Sequence, residues 1–350
     1  MHWNYFNPVR VVFGAGTAAQ TSVLLRGMGV PLAALVAAPS ALRLGLAQRV
    51  TSPAPELFTQ PFSEIQPNPT RQNAEDCARF IRESGARAVV ALGGGSTLDC
   101  AKAAAGGLPV VALPTTAGTG SEVTCISVLS DGGAKTPLVS PEYYPKIAVV
   151  DPELTLPCPA GVTAAAGMDA LSHALEALWS IHHSPASDAL ALRAIPPLLQ
   201  NIETAFARPE DYAARHAMSE GSLIAGLAFS QAKTAAVHAC SFPLTARYGL
   251  SHGEACAFTL PAYCRLNAAA EGGRLHDIAR LLGFADADAL ADELDRLNAA
   301  LGLPRTLAQA GIPLAGLPAL AEECLLPPNM QNNPVPMDRA GVVEVFESLA

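Results

Sequence analysis

In the stretch GMDALSHALEAL, Gly167 to Leu178, an aspartate and a histidine, Asp169 and His173, stand four residues apart. At helical spacing two such side chains share one face and can converge on one ion. His238 follows in an apolar stretch that reads as a helix, and His252 sits fourteen positions later, just before Gly253. Taken singly, each histidine could cap a helix or make its own hydrogen bond. Together, two helices and a loop could present one carboxylate and three imidazoles to a divalent cation. Such a nitrogen-rich set suits Fe(II) or Zn(II), whereas Ca(II) and Mg(II) prefer oxygen.

A second chemistry is carried by AVVALGGGSTLDCAK, Ala88 to Lys102, where a buried strand runs into Gly93, Gly94, Gly95 and Ser96 and a helix begins at once. Glycines let a ligand approach the backbone, and the free amides at the helix start suit a phosphate or pyrophosphate. The stretch matches neither GxGxxG nor a Walker loop, and by itself it could be packing geometry. It gains weight from VALPTTAGTGSEVT, Val111 to Thr124, where another strand ends in a loop bearing Thr115, Thr116, Thr119 and Ser121. Helix capping is the alternative for those hydroxyls. Two such loops at the carboxyl edge of one sheet occupy the place where α/β folds bind ligands.

The elements that must position these residues change character near the middle of the chain. Val11–Phe13, Leu32–Ala37, Ala88–Leu92, Val110–Leu113 and Ile147–Val150 read as short buried strands, and Ala18–Met28, Arg71–Ser84 and Thr97–Ala105 as helices between them. Alternating units of this kind predict a parallel sheet covered on both faces. Beyond Asp151 the pattern is helical, over Thr163–Ser180, Pro185–Phe206, Asp211–Ala228, Arg274–Leu282 and Ala287–Leu301. Prolines at 152, 157 and 159 mark the junction. The expectation is an α/β domain over residues 1–155 and an all-helical domain over 156–350.

Composition narrows the classes further. At 350 residues, 50% of them apolar and 15% charged, the chain can bury a large core. A net charge of -9 with no basic run leaves no electrostatic footprint for nucleic acid. Mean hydropathy is +0.26, yet apolar stretches such as Val30–Ala38 are broken by Pro or Gly short of the roughly 18 residues that a membrane span needs. The N-terminus does not read as a signal peptide, and the eight cysteines are scattered without a CxxC pair, which fits reduced thiols in a cytoplasm.

The chain resembles the iron-containing (group III) alcohol dehydrogenase family over nearly its whole length, from NPVRVVFGAG (Asn7 to Gly16) through GGGSTLDCAK, PTTAGTGSEVT, DPELT and GMDALSHALEA to SHGEACAFTLP. That resemblance implies an N-terminal dinucleotide-binding α/β domain with a parallel sheet, followed by a helical domain that carries the metal and substrate. It implies that Asp169, His173, His238 and His252 are the metal ligands. It places Gly94, Gly95 and Ser96 at the pyrophosphate, with Asp99, Thr115, Thr116, Thr119 and Ser121 also lining the cofactor site. Asn68 in PNPT and Lys135 match further cofactor positions.

Two departures from the family pattern bear on function. Members that prefer NAD usually carry an Asp after the second strand, whereas LVAAPSALR (Leu35 to Arg43) offers Ala38 and Pro39, with Ser40 and Arg43 beyond. Nothing there repels a 2'-phosphate, so NADPH is expected beside NADH. The position four residues after the third ligand, often a proton-relaying His, is Phe242. The expected activity is metal-dependent, NAD(P)H-linked reduction of a small aldehyde to a primary alcohol, or the reverse, and an anionic aldehyde such as phosphonoacetaldehyde is a candidate substrate. A maleylacetate-reductase-like keto acid reductase is the enzymatic alternative, against which Asp169 counts. A cofactor-binding protein without turnover is the non-enzymatic one. No membrane or nucleic-acid partner is expected, and the assembly is expected to be a homodimer.

Overall fold

The computed structural model describes residues 2–131 and 134–350 and divides into two compact units. The first comprises Phe6–Pro159 with Arg208–Ser219. It contains β1 (Arg10–Phe13), α1 (Thr21–Gly27), β2 (Ala33–Ala37), α2 (Pro39–Arg43), α3 (Leu46–Thr51), α4 (Arg71–Ser84), β3 (Ala88–Gly93), α5 (Gly95–Ala104), β4 (Val110–Pro114), β5 (Ile126–Asp131), β6 (Ala134–Val139) and β7 (Ile147–Val150). Five strands form one parallel sheet in the order β1-β7-β4-β3-β2. Both faces are covered, which is why its strands read as unbroken apolar runs. Ala33, Leu35, Val90, Leu92 and Leu113 pack to one side with residues of α1 and α3. Ala34, Val36, Val89, Ala91 and Ala112 pack to the other with residues of α4 and α5. The β3/β4 register pairs Gly93 with Pro114, so the two loops that follow leave the sheet side by side.

The antiparallel hairpin of β5 and β6 was not expected from sequence. Its strands hold Ser127, Ser130, Lys135, Thr136 and Pro137, so no apolar run announces them. They form a separate two-stranded sheet, whose edges tolerate a proline that a central strand would reject.

The second unit comprises Ala160–Ala207 and Glu220–Ala350 with the residues up to Tyr5. Its helices are α6 (Ala160–Trp179), α7 (Pro185–Ala207), the later turns of α8 (Tyr212–Ala232), α9 (Ala236–Tyr248), α10 (His252–Asn267), α11 (Arg274–Leu281), α12 (Ala287–Ala300), α13 (Leu317–Cys324) and α14 (Arg339–Glu347). α6 is buried without a break from Gly167 to Trp179, packed against α7, α9 and α10. Its polar residues Asp169, Ser172, His173 and Glu176 are therefore buried too, and each needs a partner. His252, expected on a loop, is instead the first residue of α10. Ser251 caps that helix in a box with Glu254, whose carboxylate accepts the Ser251 N–H at 2.8 Å. Among the described residues no helix is long and apolar enough to cross a membrane.

Candidate functional site

In the first unit the loops after β3 and β4 pack against each other. A Cβ on Gly95 would lie 2.8 Å from Thr119 Cγ2, and one on Gly94 would meet Thr116 at 3.4 Å. Gly95 thus lets the two loops approach closely. The Thr115 N–H donates to the Gly93 carbonyl at 3.0 Å, and the Ser121 N–H to Thr119 Oγ1 at 3.3 Å. Gly95 and Ser96 open α5, where unpaired amides face out of the helix start.

Asp99 and Ser121 meet directly. The Ser121 hydroxyl donates to Asp99 Oδ1 at 2.6 Å, and the Val128 N–H donates to Oδ2 at 3.0 Å. Lys102, missed at the level of sequence, organises the same loop. Its ammonium is buried and donates to Ser121 Oγ at 2.7 Å, to the Ser121 carbonyl at 3.0 Å and to the Ile126 carbonyl, with Asp99 Oδ1 at 3.3 Å. Asn68, in left-handed backbone at φ 52°, donates its N–H to Ser96 Oγ at 3.3 Å. Lys135 pairs across the hairpin with Ser130, which also bridges to Thr70, so the hairpin ties Lys135 to the segment of Asn68. All ten expected cofactor-site residues are therefore gathered around the loops and hairpin of this unit.

In the second unit one carboxylate oxygen is surrounded by imidazoles. Asp169 Oδ1 lies 3.4 Å from His238 Nε2, 3.6 Å from His252 Nε2 and 3.9 Å from His173 Nδ1. The His173 ring stacks on His238 at 4.4 Å and on Phe229 at 4.0 Å between centroids. Two donors each about 2.0–2.1 Å from a tetrahedral ion lie about 3.4 Å apart, so this spacing fits a shared cation. Asp169 Oδ1 and His238 Nε2 are buried and make no hydrogen bond. An orphaned buried acceptor costs about 1–3 kcal/mol, which a bound cation would remove.

The outer partners set which nitrogen carries each proton. His238 Nδ1 bonds Glu176 Oε2, while Glu176 Oε1 accepts the Val237 N–H at 2.8 Å. A carboxylate accepts only, so Nδ1 carries a proton and Nε2 is the nitrogen left to face Asp169 Oδ1. The Ser241 hydroxyl donates to the His238 carbonyl at 2.8 Å and so must accept from His252 Nδ1 at 3.2 Å. His252 Nε2 is likewise the nitrogen left to face Asp169 Oδ1. Burial disfavours ionisation of Asp169, but the imidazoles outweigh it and hold the carboxyl well below its usual range. Burial also disfavours charge on His238; Cys256, Glu176 and Asp169 oppose it and raise that imidazole above its ordinary value.

Phe242 lies on α9, one turn beyond His238, with its ring parallel to His252 and 6.3 Å from it. Glu176 and Cys256 were missed at the level of sequence. The signal for Glu176 was its i+7 spacing from Asp169 on α6, and for Cys256 its i+4 spacing from His252 on α10. Gly253 permits the convergence, because a Cβ there would lie 2.0 Å from the Ala165 carbonyl oxygen of α6.

Comparison with known proteins gives a consistent picture. The family described as iron-containing alcohol dehydrogenase matches residues 8–152, and the C-terminal part of the Fe-containing alcohol dehydrogenase family matches 163–350. The chain is 34% identical to long-chain-alcohol dehydrogenase 1 of Geobacillus thermodenitrificans, over 97% of this chain and 96% of that one. Its fold is similar to a sulfoacetaldehyde reductase from Bifidobacterium kashiwanohense in complex with NAD+, with a TM-score of 0.95, 38% identity and coverage of 100% and 99%. It is also similar to maleylacetate reductase from Agrobacterium tumefaciens, with a TM-score of 0.90, 28% identity and coverage of 100% and 98%.

Proposed function

The chain belongs to the iron-containing alcohol dehydrogenase family, and from that premise we propose that it reduces a small aldehyde to a primary alcohol, or oxidises the alcohol, using NAD(P)H and one divalent metal. The observation that carries this reading is the buried Asp169 oxygen ringed by three imidazoles, with two of its facing atoms lacking any hydrogen-bond partner. Asp169, His173, His238 and His252 would hold the metal, Fe(II) or Zn(II) by donor type. When bound, the metal supplies Lewis acidity at the substrate oxygen, and the nicotinamide supplies or accepts the hydride.

The protein's part is to hold these groups. Glu176 and Ser241 keep His238 and His252 in the tautomer that presents Nε2. Gly94, Gly95 and Ser96 offer amides at the start of α5 for a pyrophosphate, with Thr115, Thr116, Thr119 and Asn68 beside them. Asp99 and Ser121, bonded to each other and braced by Lys102, keep that loop in place. Lys135 stands at the neighbouring hairpin. The division of labour follows the two units, Phe6–Pro159 with Arg208–Ser219 for the cofactor and Ala160–Ala207 with Glu220–Ala350 for metal and substrate, rather than a single break at 155. At the end of β2 the backbone enters α2 through Ala38 and Pro39, with no carboxylate to exclude a 2'-phosphate. Phe242 brings no titratable group to the metal residues, so the proton needed in reduction would arrive through water and the cofactor ribose hydroxyl, with Thr or Ser of the 115–121 loop assisting.

An anionic aldehyde is the substrate class we favour, supported by the likeness to the sulfoacetaldehyde reductase. The test is metal analysis of the purified full-length protein, followed by a scan of propanal, sulfoacetaldehyde, phosphonoacetaldehyde and maleylacetate with NADH and NADPH. Metal-dependent turnover is expected to be fastest with an anionic aldehyde. Absence of metal-dependent turnover with every aldehyde would overturn the reading, and turnover confined to maleylacetate would replace it with keto acid reduction.

A further inference from the structure

Among the described residues, three that are not glycine stand in left-handed backbone: Asn68, Lys233 and Glu271, at φ 52°, 65° and 51°. That conformation is costly for a side chain and persists where the surroundings over-determine it, often at functional sites. Asn68 gives its N–H to Ser96, and Glu271 pairs with His183 and Arg274. The Lys233 side chain is exposed. Among the described residues of the helical unit, every arginine except Arg305 pairs with a carboxylate, and Lys233, the unit's single lysine, pairs with none. Its backbone, by contrast, is pinned. The Lys233 N–H donates to the Phe229 carbonyl at 2.7 Å, one turn beyond the ring that stacks on His173. Before it, the Ala232 carbonyl accepts from Ser180 Oγ at 2.5 Å. After it, the Thr234 carbonyl accepts from Asn332 Nδ2 at 2.7 Å and Thr234 Oγ1 from Asn329 Nδ2 at 3.3 Å. α9 then starts at Ala236 and carries His238 on its first turn. An unpaired ammonium is thus anchored in the chain between Phe229 and His238. Glycine would take φ 65° without strain, so packing gives no reason for a lysine here.

We propose that Lys233 is the cation that receives the anionic head of the substrate, with Asn329 and the Thr234 hydroxyl beside it. The inference rests on the aldehyde-reducing reading above and deepens it. Asp169 and Glu176 bring two buried carboxylates to the metal residues, enough to balance a divalent ion. A sulfonate or phosphonate entering the same pocket adds a negative charge that burial penalises unless a cation meets it. Lys233 supplies that cation as a compact ammonium with three donors on a flexible four-carbon stem. Thr234 Oγ1 accepts from Asn329, which leaves its own O–H free to donate to the same head. A neutral aldehyde gains nothing from these groups, so Lys233 sets selectivity and takes no part in the transfer of hydride.

Steady-state kinetics of the full-length, metal-loaded protein with sulfoacetaldehyde, phosphonoacetaldehyde and propanal test this in Lys233→Gly, Lys233→Arg and Arg305→Ala. Lys233→Gly removes charge and strain together, and is expected to unfold at or above the wild-type temperature. For the anionic aldehyde that the wild type prefers, its KM is expected to rise at least about tenfold, the loss of one charge-assisted hydrogen bond. Its kcat on that substrate and both constants for propanal should stay near wild type. Lys233→Arg keeps the charge and should restore most of the affinity, while Arg305→Ala, the other unpaired cation, should match wild type. Calorimetry with 2-hydroxyethanesulfonate or 2-hydroxyethylphosphonate, the alcohols that reduction would yield, should show the same loss in Lys233→Gly without reference to turnover. An unchanged KM for the anionic aldehyde in Lys233→Gly, or equal losses on anionic and neutral aldehydes, overturns the inference and leaves the aldehyde-reducing reading intact. Wild-type turnover of propanal but of neither anionic aldehyde does the same. Turnover of none of the three would overturn both.

Discussion

Replacing Glu176 with glutamine keeps the size of the side chain and removes one of its two acceptors. In the native arrangement Oε2 accepts from His238 Nδ1 and Oε1 accepts the Val237 N–H at 2.8 Å, with the side chain wholly buried in α6. Glutamine has one carbonyl oxygen and one NH2 group. If the oxygen stays with Val237, the NH2 meets Nδ1, which must give up its proton, and His238 Nε2 becomes protonated and cannot bind metal. If the oxygen turns to Nδ1, two donors face each other at Val237 and one buried N–H is orphaned, at about 1–3 kcal/mol. Either way, metal affinity is expected to fall about 10- to 100-fold, the usual loss when a ligand's outer partner is removed. Chelator competition measures the affinity, and unfolding of the metal-free protein measures any separate loss of stability. Nitrogen NMR of the histidine rings reports the tautomer of His238 directly. An affinity within threefold of wild type, with Nδ1 still protonated, would refute the assignment of Glu176 as the group that positions His238.

Four further outcomes are expected. Asp169→Asn and His252→Ala should each lower bound metal and turnover together, measured by metal analysis and steady-state assay; full occupancy with unchanged activity in either would sink the four-ligand set. Ala38→Asp should weaken NADPH selectively, read as the ratio of kcat/KM for the two cofactors, and a hundredfold wild-type preference for NADH would contradict the reasoning from β2. Phe242→His should leave metal binding unchanged and add a group titrating near neutrality to the pH profile of reduction, whereas an identical profile would show that residue 242 does not face the reaction. Burial pushes the Glu122 carboxyl up to about 7 from an ordinary 4.5, although Lys102 opposes the shift. The folded state therefore keeps a proton that the unfolded chain releases, and the stability present below pH 4.5 is lost as pH rises to about 7, by about 3 kcal/mol. Denaturant unfolding of the cofactor-free protein at pH 4.5 and 8 should show that difference for wild type relative to Glu122→Gln, and parallel pH dependences would count against it.

Much of the architecture was legible because burial leaves marks in the residue order. The runs at 33–37, 88–92, 110–113 and 147–150 are apolar throughout because both sheet faces are covered, and α6 is legible as a long helix for a related reason. Asp169 and His173 are bound to share a helix face by spacing alone. The hairpin at 126–139 was not legible, since its polar strands with Pro137 pair only with each other. The start of α10 is written in the capping box of Ser251 and Glu254, although Gly253 between them suggests a loop. Lys102, Glu176 and Cys256 look in sequence like an exposed base, an exposed acid and a core thiol. Local order determined that this chain carries three histidines, an aspartate and two glycine- and hydroxyl-bearing turns on regular elements. Only helix packing decided that Glu176 meets Nδ1 of His238 and that Ser241 meets Nδ1 of His252, because those contacts join residues 62 and 11 positions apart that no local periodicity relates, and only packing brings the thiol of Cys256 near Asp169.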